Sequence, residues 1–163
     1  MQPTLISRCS TSDRDLYFLS VSNPSLFPED LSLPSPHFSV FLALDATEMD
    51  DAVVTMIARP LLRAGAVYVC CYGPDCERVH DIIDQEEILQ LGPIEQDDGS
   101  VIMTTWHAHD TLQDALWFFV FNSWPDNKYF NSCRAGIAIS CENQAWDDQI
   151  IAGMRDFTKT KAS

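Results

Sequence analysis

Four short runs of nearly unbroken apolar residues constrain this chain more than any other feature. They are FSVFLALDA (Phe38 to Ala46), AVYVCCYG (Ala66 to Gly73), SVIMTTW (Ser100 to Trp106) and AGIAISC (Ala135 to Cys141). Runs of this kind lack the alternation of a half-solvated strand and suit strands covered on both faces. Helical patterns fall between and after them. The first opens at TEMD, with Thr47 as cap and Asp50 at the capping-box position, and Pro60 should kink or shorten it. The second starts near Pro74 and turns Val79, Ile82 and Ile83 inward, after which DQEEILQLGP loses the period and reads as a separate short turn. The third, DTLQDALWFFVFNSW, is apolar on nearly every side and should be the most buried helix, with Asp110 as its cap. The fourth is capped by Asn143 and carries Trp146, Ile150, Met154 and Phe157 on one stripe.

Strands alternating with helices predict an α/β chain. The expected architecture is a three-layer Rossmann-like or flavodoxin-like domain. Its mainly parallel sheet should have about 4–5 strands, with helices on both faces. The α/β core spans residues 38–157. Residues 1–37 form a Pro/Ser-rich segment packed on that core, with one candidate edge strand at Asp15 to Ser22, and residues 158–163 form a tail.

The six cysteines should be reduced, since a chain of 163 residues can bury a core without a disulfide framework. No run reaches the ~18 apolar residues of a membrane span, and the N-terminus lacks a signal-peptide layout, so a cytoplasmic location is expected. The net charge of −14 disfavours nucleic acid and anionic membrane surfaces. It favours a basic protein partner, which it would attract and steer. Thirteen of the acids fall in residues 45–98 against three arginines. The expected docking acids are Asp81, Asp84, Glu86, Glu87, Glu95, Asp97 and Asp98.

In such sheets ligands sit beyond the carboxyl ends of the strands. Those ends deliver Asp45, Tyr72, His107, His109, Cys141 and Glu142. An enzyme or small-ligand site would draw on them, with Cys141, a histidine and Glu142 as a candidate nucleophile set. Cys71, Cys76 and His80 with His107 and His109 are candidate zinc ligands, although their spacing is looser than a zinc knuckle. No G-x-G-x-x-G or Walker loop is present and the first lysine is Lys128, so no nucleotide cofactor is expected. These features favour an interaction protein over an enzyme. By size and charge alone it is analogous to toxin-neutralising immunity proteins or accessory proteins of bacterial conflict systems. The aromatic loop Asn122 to Arg134 is compatible with a homodimer.

Overall fold

The computed structural model describes residues 1–92 and 100–159. Among these residues, six strands form one sheet: β1 (Thr4–Cys9), β2 (Arg14–Val21), β3 (His37–Ala43), β4 (Ala66–Tyr72), β5 (Met103–Trp106) and β6 (Cys133–Cys141). Four helices flank it: α1 (Asp51–Ala64), α2 (Cys76–Leu91), α3 (Leu112–Asn122) and α4 (Gln144–Phe157). The strand order is β1-β2-β6-β3-β4-β5, and only β1 runs antiparallel to its neighbour. The sheet is thus wider than the four or five strands expected. The segment at Asp15 to Ser22 is not an edge, because β2 lies between β1 and β6.

The strands alternate between two cores. Phe38, Val40 and Leu42 of β3 face α1, α2 and the loop that carries Phe27 and Leu31. Phe41 and Ala43 face α3 and α4. From β2 the chain crosses over β6 to β3 on the α1 side and continues outward to β4 and β5. It returns to β6 on the α3 side. Outward steps on one face and the return on the other are what right-handed crossovers require. The architecture is a mixed α/β domain consistent with a Rossmann-like fold.

Local chemistry departs from the sequence reading in four places. α1 begins after Asp50, so Thr47 is not its cap. It runs through Pro60, whose ring is buried, and ends at Gly65, where φ is +112° and a side chain would collide with the Pro36 carbonyl. α2 is continuous to Leu91, because the residues that seemed to break its period, Glu86 and Glu87, point inward. α3 is capped by Thr111, whose hydroxyl accepts from Asp114 N at 3.1 Å. Asp110 instead accepts from His107. α3 also leaves one face open, with Trp117 exposed and its ring tilted against Phe121. α4 starts as expected, with the Asn143 side chain accepting from Trp146 N. All six cysteines are free thiols and all are buried.

Candidate functional site

β6 sits between β2 and β3, and its connection leaves the sheet on the face opposite to theirs. Those after β2 and β3 pass to the α1 face, whereas the one after β6 enters α4 on the opposite face. Neighbouring strands whose connections diverge leave a crevice at their carboxyl ends, the place where open α/β sheets bind ligands. A cleft of about 530 Å³ lies there. Three segments line it: Asn23 to Ser25 after β2, residues between Leu44 and Val53 after β3, and Cys141 to Asn143 with Trp146 after β6.

Each wall has a local cause. Asp45 turns back on its own loop, accepting from Thr47 N at 3.1 Å and Thr47 Oγ1 at 2.7 Å. Asp50 begins α1 without a side-chain cap bond, which leaves its carboxylate free at the cleft. Asn23 and Asn143 accept from backbone N–H groups two and three residues onward and hold their turns. Glu142 adopts φ +55°, an uncommon conformation for a residue other than glycine. Behind the loop, Gly73 at φ +118° lets the β4–α2 turn press against the Leu44 carbonyl.

The lining carries four carboxylates, Asp45, Glu48, Asp50 and Glu142, and no lysine, arginine or histidine. Leu44, Met49, Val53 and Trp146 supply an apolar wall. The nearby Arg78 is engaged elsewhere. Its guanidinium pairs with Asp75 at 2.7 Å and Asp51 at 2.5 Å, and donates to the carbonyls of Ala46 and Met49. Cys141 is buried at the floor. Burial pushes its thiol up to about 12, with Glu142 and Asp147 adding to the rise, so it stays protonated near neutrality.

Of the strand-end residues singled out in the sequence, Asp45, Cys141 and Glu142 meet in this cleft. Tyr72, His107 and His109 do not line it. β3 and β4 stand between β6 and β5, three strand spacings or about 14 Å. A Cys141–histidine–Glu142 set therefore does not assemble. His107 is closed in by its own turn, at 8% exposure. Its Nδ1 lies 2.8 Å from Asp110 Oδ2, its Nε2 lies 3.0 Å from Thr105 Oγ1, and its ring packs on Phe118. His109 is exposed.

The zinc candidates form no ligand set, although His107 N donates to the Cys71 carbonyl at 2.9 Å. Cys71 and Cys76 are buried, and burial pushes both thiols upward. His80 faces Asp81 at 3.0 Å and Asp84 at 3.5 Å and stacks edge-on against Trp106. Among the described residues, no three His, Cys, Asp or Glu side chains gather in a way that could hold a metal ion.

Several expected docking acids prove to be internal ties. Glu86 is 5% exposed and pairs with Arg59 of α1 at 3.0 Å. Glu87 is 6% exposed and accepts from Ile102 N at 3.2 Å. Asp84 accepts from Thr104 Oγ1 at 2.6 Å. Glu86 and Glu87 fasten α2 to α1 and to the residue before β5 and are not a free surface, whereas Asp84 ties α2 to β5 and stays partly exposed. Asp81 is exposed, while Glu95, Asp97 and Asp98 lie outside the described residues. The expected docking acids ran from α2 to Asp98. The acids that converge on the cavity are Asp45 and Glu142, which the sequence placed at strand ends, joined by Glu48 and Asp50.

Burial pushes the Glu87 carboxyl up, and the nearby Asp84 charge adds to the rise. The folded form therefore holds this proton more tightly than the unfolded chain, and losing it costs stability as pH rises through the folded value. Glu87→Gln keeps an acceptor for Ile102 N and removes that cost. The variant is expected to be more stable than the parent at pH 7. The advantage should vanish below pH ~4, where the parent is protonated in both states. Urea titrations at pH 4 and 7 check this, and an advantage that grows on acidification would refute it.

The domain is therefore an open, mostly parallel α/β sheet with an acidic crevice at its topological switch, consistent with a Rossmann-like fold. Residues 17–156 match the model of one family, described as Domain of unknown function (DUF7684). The match spans most of the chain, which belongs to that family. No curated protein matches it. No helix among the described residues is long and apolar enough to cross a membrane.

Proposed function

We propose that this chain is a protein-recognition domain whose switch-point cleft receives a basic side chain from a protein partner. The observation that carries the reading is the lining itself: four carboxylates, an apolar wall and no cation. A guanidinium or ammonium entering the cleft would meet Asp45, Asp50 and Glu142, while its aliphatic stem would lie along Leu44 and Trp146. Phosphorylated ligands would meet only like charge, in line with the overall charge of −14. Catalysis finds less support at this rim, because the Cys141 thiol is held protonated and His107 is enclosed. By its size and acidity the domain would act as immunity or accessory proteins do, in the cytoplasm, by occupying a basic surface.

The test is titration of the full chain with a fluorescent arginine-rich peptide at several salt concentrations. Binding should weaken steeply as salt rises. Asp45→Asn with Glu142→Gln should lower affinity roughly tenfold, mainly through faster dissociation if the charge is seated. Asp81→Asn, an exposed acid on α2, should change it less than twofold. Equal loss at Asp81 and at the cleft would reduce the reading to diffuse charge attraction, and full binding by the cleft variant would defeat it.

A further inference from the structure

His107 has no part in the cleft, yet the turn around it is fully assembled. Its main chain is tied to Cys71 and its ring rests on Phe118. Asp110 Oδ2 stands 2.8 Å from its Nδ1. A carboxylate there keeps the proton on Nδ1 and leaves a lone pair on Nε2. That lone pair meets Thr105 Oγ1 at 3.0 Å. Carboxylate, imidazole and hydroxyl therefore follow one another at hydrogen-bond distances. This is the order in which an acid orients a base and the base activates a nucleophile. Thr104 bonds Asp84 and Trp106 packs on His80, so these two side chains point toward α2. By strand alternation Thr105 and Met103 point to the α3 face. Thr105 is only partly buried, and Met103 is exposed. The Tyr68 phenol and the Cys70 thiol also adjoin the Thr105 hydroxyl. Burial pushes each of them up to about 12, so neither takes a proton from Thr105 near neutrality. His107 is the base within reach. The Tyr68 O–H remains a donor for an oxygen that gains charge beside Thr105.

We propose that Thr105 is a nucleophile for acyl transfer from a neutral carboxylic ester, with His107 as its base and Asp110 positioning the imidazole. The substrate class follows from the surroundings. Met103, Tyr68 and Phe118 are apolar or aromatic, with the Phe118 ring tilted on both Tyr68 and His107. Asp110 and the overall charge of −14 disfavour an anion. In the first step Thr105 Oγ1 bonds to the ester carbonyl carbon, and its proton passes to His107 Nε2. The bond from that carbon to the alkoxy oxygen breaks, and the alcohol leaves with the proton. Water then attacks the threonyl ester, giving a proton to Nε2. The acid departs and that proton returns to Thr105. This site is separate from the cleft, and its failure would leave the cleft reading standing.

The test is hydrolysis of p-nitrophenyl acetate and butyrate by the full chain, with a fluorophosphonate probe as a second readout. At least one ester should be cleaved well above the buffer rate. Thr105→Val keeps the shape of the side chain and should lower that rate on the order of a hundredfold, with an unchanged circular dichroism spectrum. Thr105→Ser should restore most of it. Asp110→Asn should lower kcat about tenfold or more and leave KM unchanged, since it disturbs only the orientation of the base. His109→Gln, at the exposed neighbour, should have no effect. The probe should join its phosphorus to Thr105 Oγ1 as fluoride leaves, and peptide mass mapping should find that label in the parent and not in Thr105→Val. Hydrolysis that survives Thr105→Val, or that is lost in His109→Gln, overturns the proposal. So does a label on another residue, or a chain that shows neither hydrolysis nor label.

Discussion

Replacing Gly73 with alanine is expected to lower stability by about 3 kcal/mol or more, visible as a fall in Tm of roughly 6–12 °C. Two costs add. The residue sits at φ +118°, where an L side chain is strained, and its Cβ would strike the Leu44 carbonyl oxygen and crowd Trp146 Cη2 at 3.2 Å. Neither neighbour can yield cheaply. Leu44 N donates to the Tyr72 carbonyl at 2.9 Å, and Trp146 lies in the first turn of α4, edge-on to Tyr72. Gly92→Ala provides the control, because φ is +78° there and nothing lies within 4 Å. It carries the conformational cost alone, about 1 kcal/mol. The gap between the two variants isolates the collision. Both displaced groups line the cleft, so Gly73→Ala should also weaken peptide binding where Gly92→Ala does not. Equal melting temperatures for the two would show that the turn relaxes freely.

The second large effect concerns Arg14, a charged residue only 2% exposed at the start of β2. Its Nη1 donates to Ser39 Oγ at 3.2 Å and Ser123 Oγ at 3.1 Å, and its guanidinium lies 5.4 Å from the Trp124 ring centroid. Its Nε has no partner, and no carboxylate pairs with it among the described residues. Burial lowers its affinity for the proton, which marks the charge as costly where it stands. Arg14→Ala should nevertheless destabilise by about 2–4 kcal/mol, because it empties the volume of the stem and removes the donor to Ser39 Oγ, while Ser123 Oγ keeps its bond to the Phe119 carbonyl. Arg14→Met fills that volume without the charge, and should fall within about 1 kcal/mol of the parent or exceed it. Urea unfolding of both separates packing from charge. If methionine costs as much as alanine, the serine bonds and not the stem hold this end of the sheet.

Much of the fold was legible because it is local. β3, β4 and β6 announce themselves as apolar runs, and Asn143 marks the start of α4. β1 was not legible, since TLISRC is mostly exposed and becomes a strand only by pairing with β2. Glu86 and Glu87 broke the apparent period of α2 because burial by ion pair and backbone bond leaves no mark on a hydropathy pattern. The site was half legible for a similar reason. Any parallel sheet places Asp45, Cys141, Glu142 and His107 at strand ends, but the order of the strands decides which ends are neighbours. That order is set by crossovers far apart in sequence, and it put β6 beside β3 and His107 three strands away. Asp110 shows the converse. Read from spacing as a helix cap, it is the carboxylate that holds His107, while Thr111 takes the cap.

The buried thiols have a practical consequence. Six cysteines are spread over β1, β4, α2 and β6, in both cores, and burial pushes those of Cys70 and Cys141 up to about 12. In the closed molecule an alkylating reagent finds no exposed thiolate, so each site can be labelled only when its own neighbourhood opens. The chain thus carries six internal stopwatches, and peptide mass mapping of the order in which they stop would chart how the sheet comes apart, strand by strand, without any added probe.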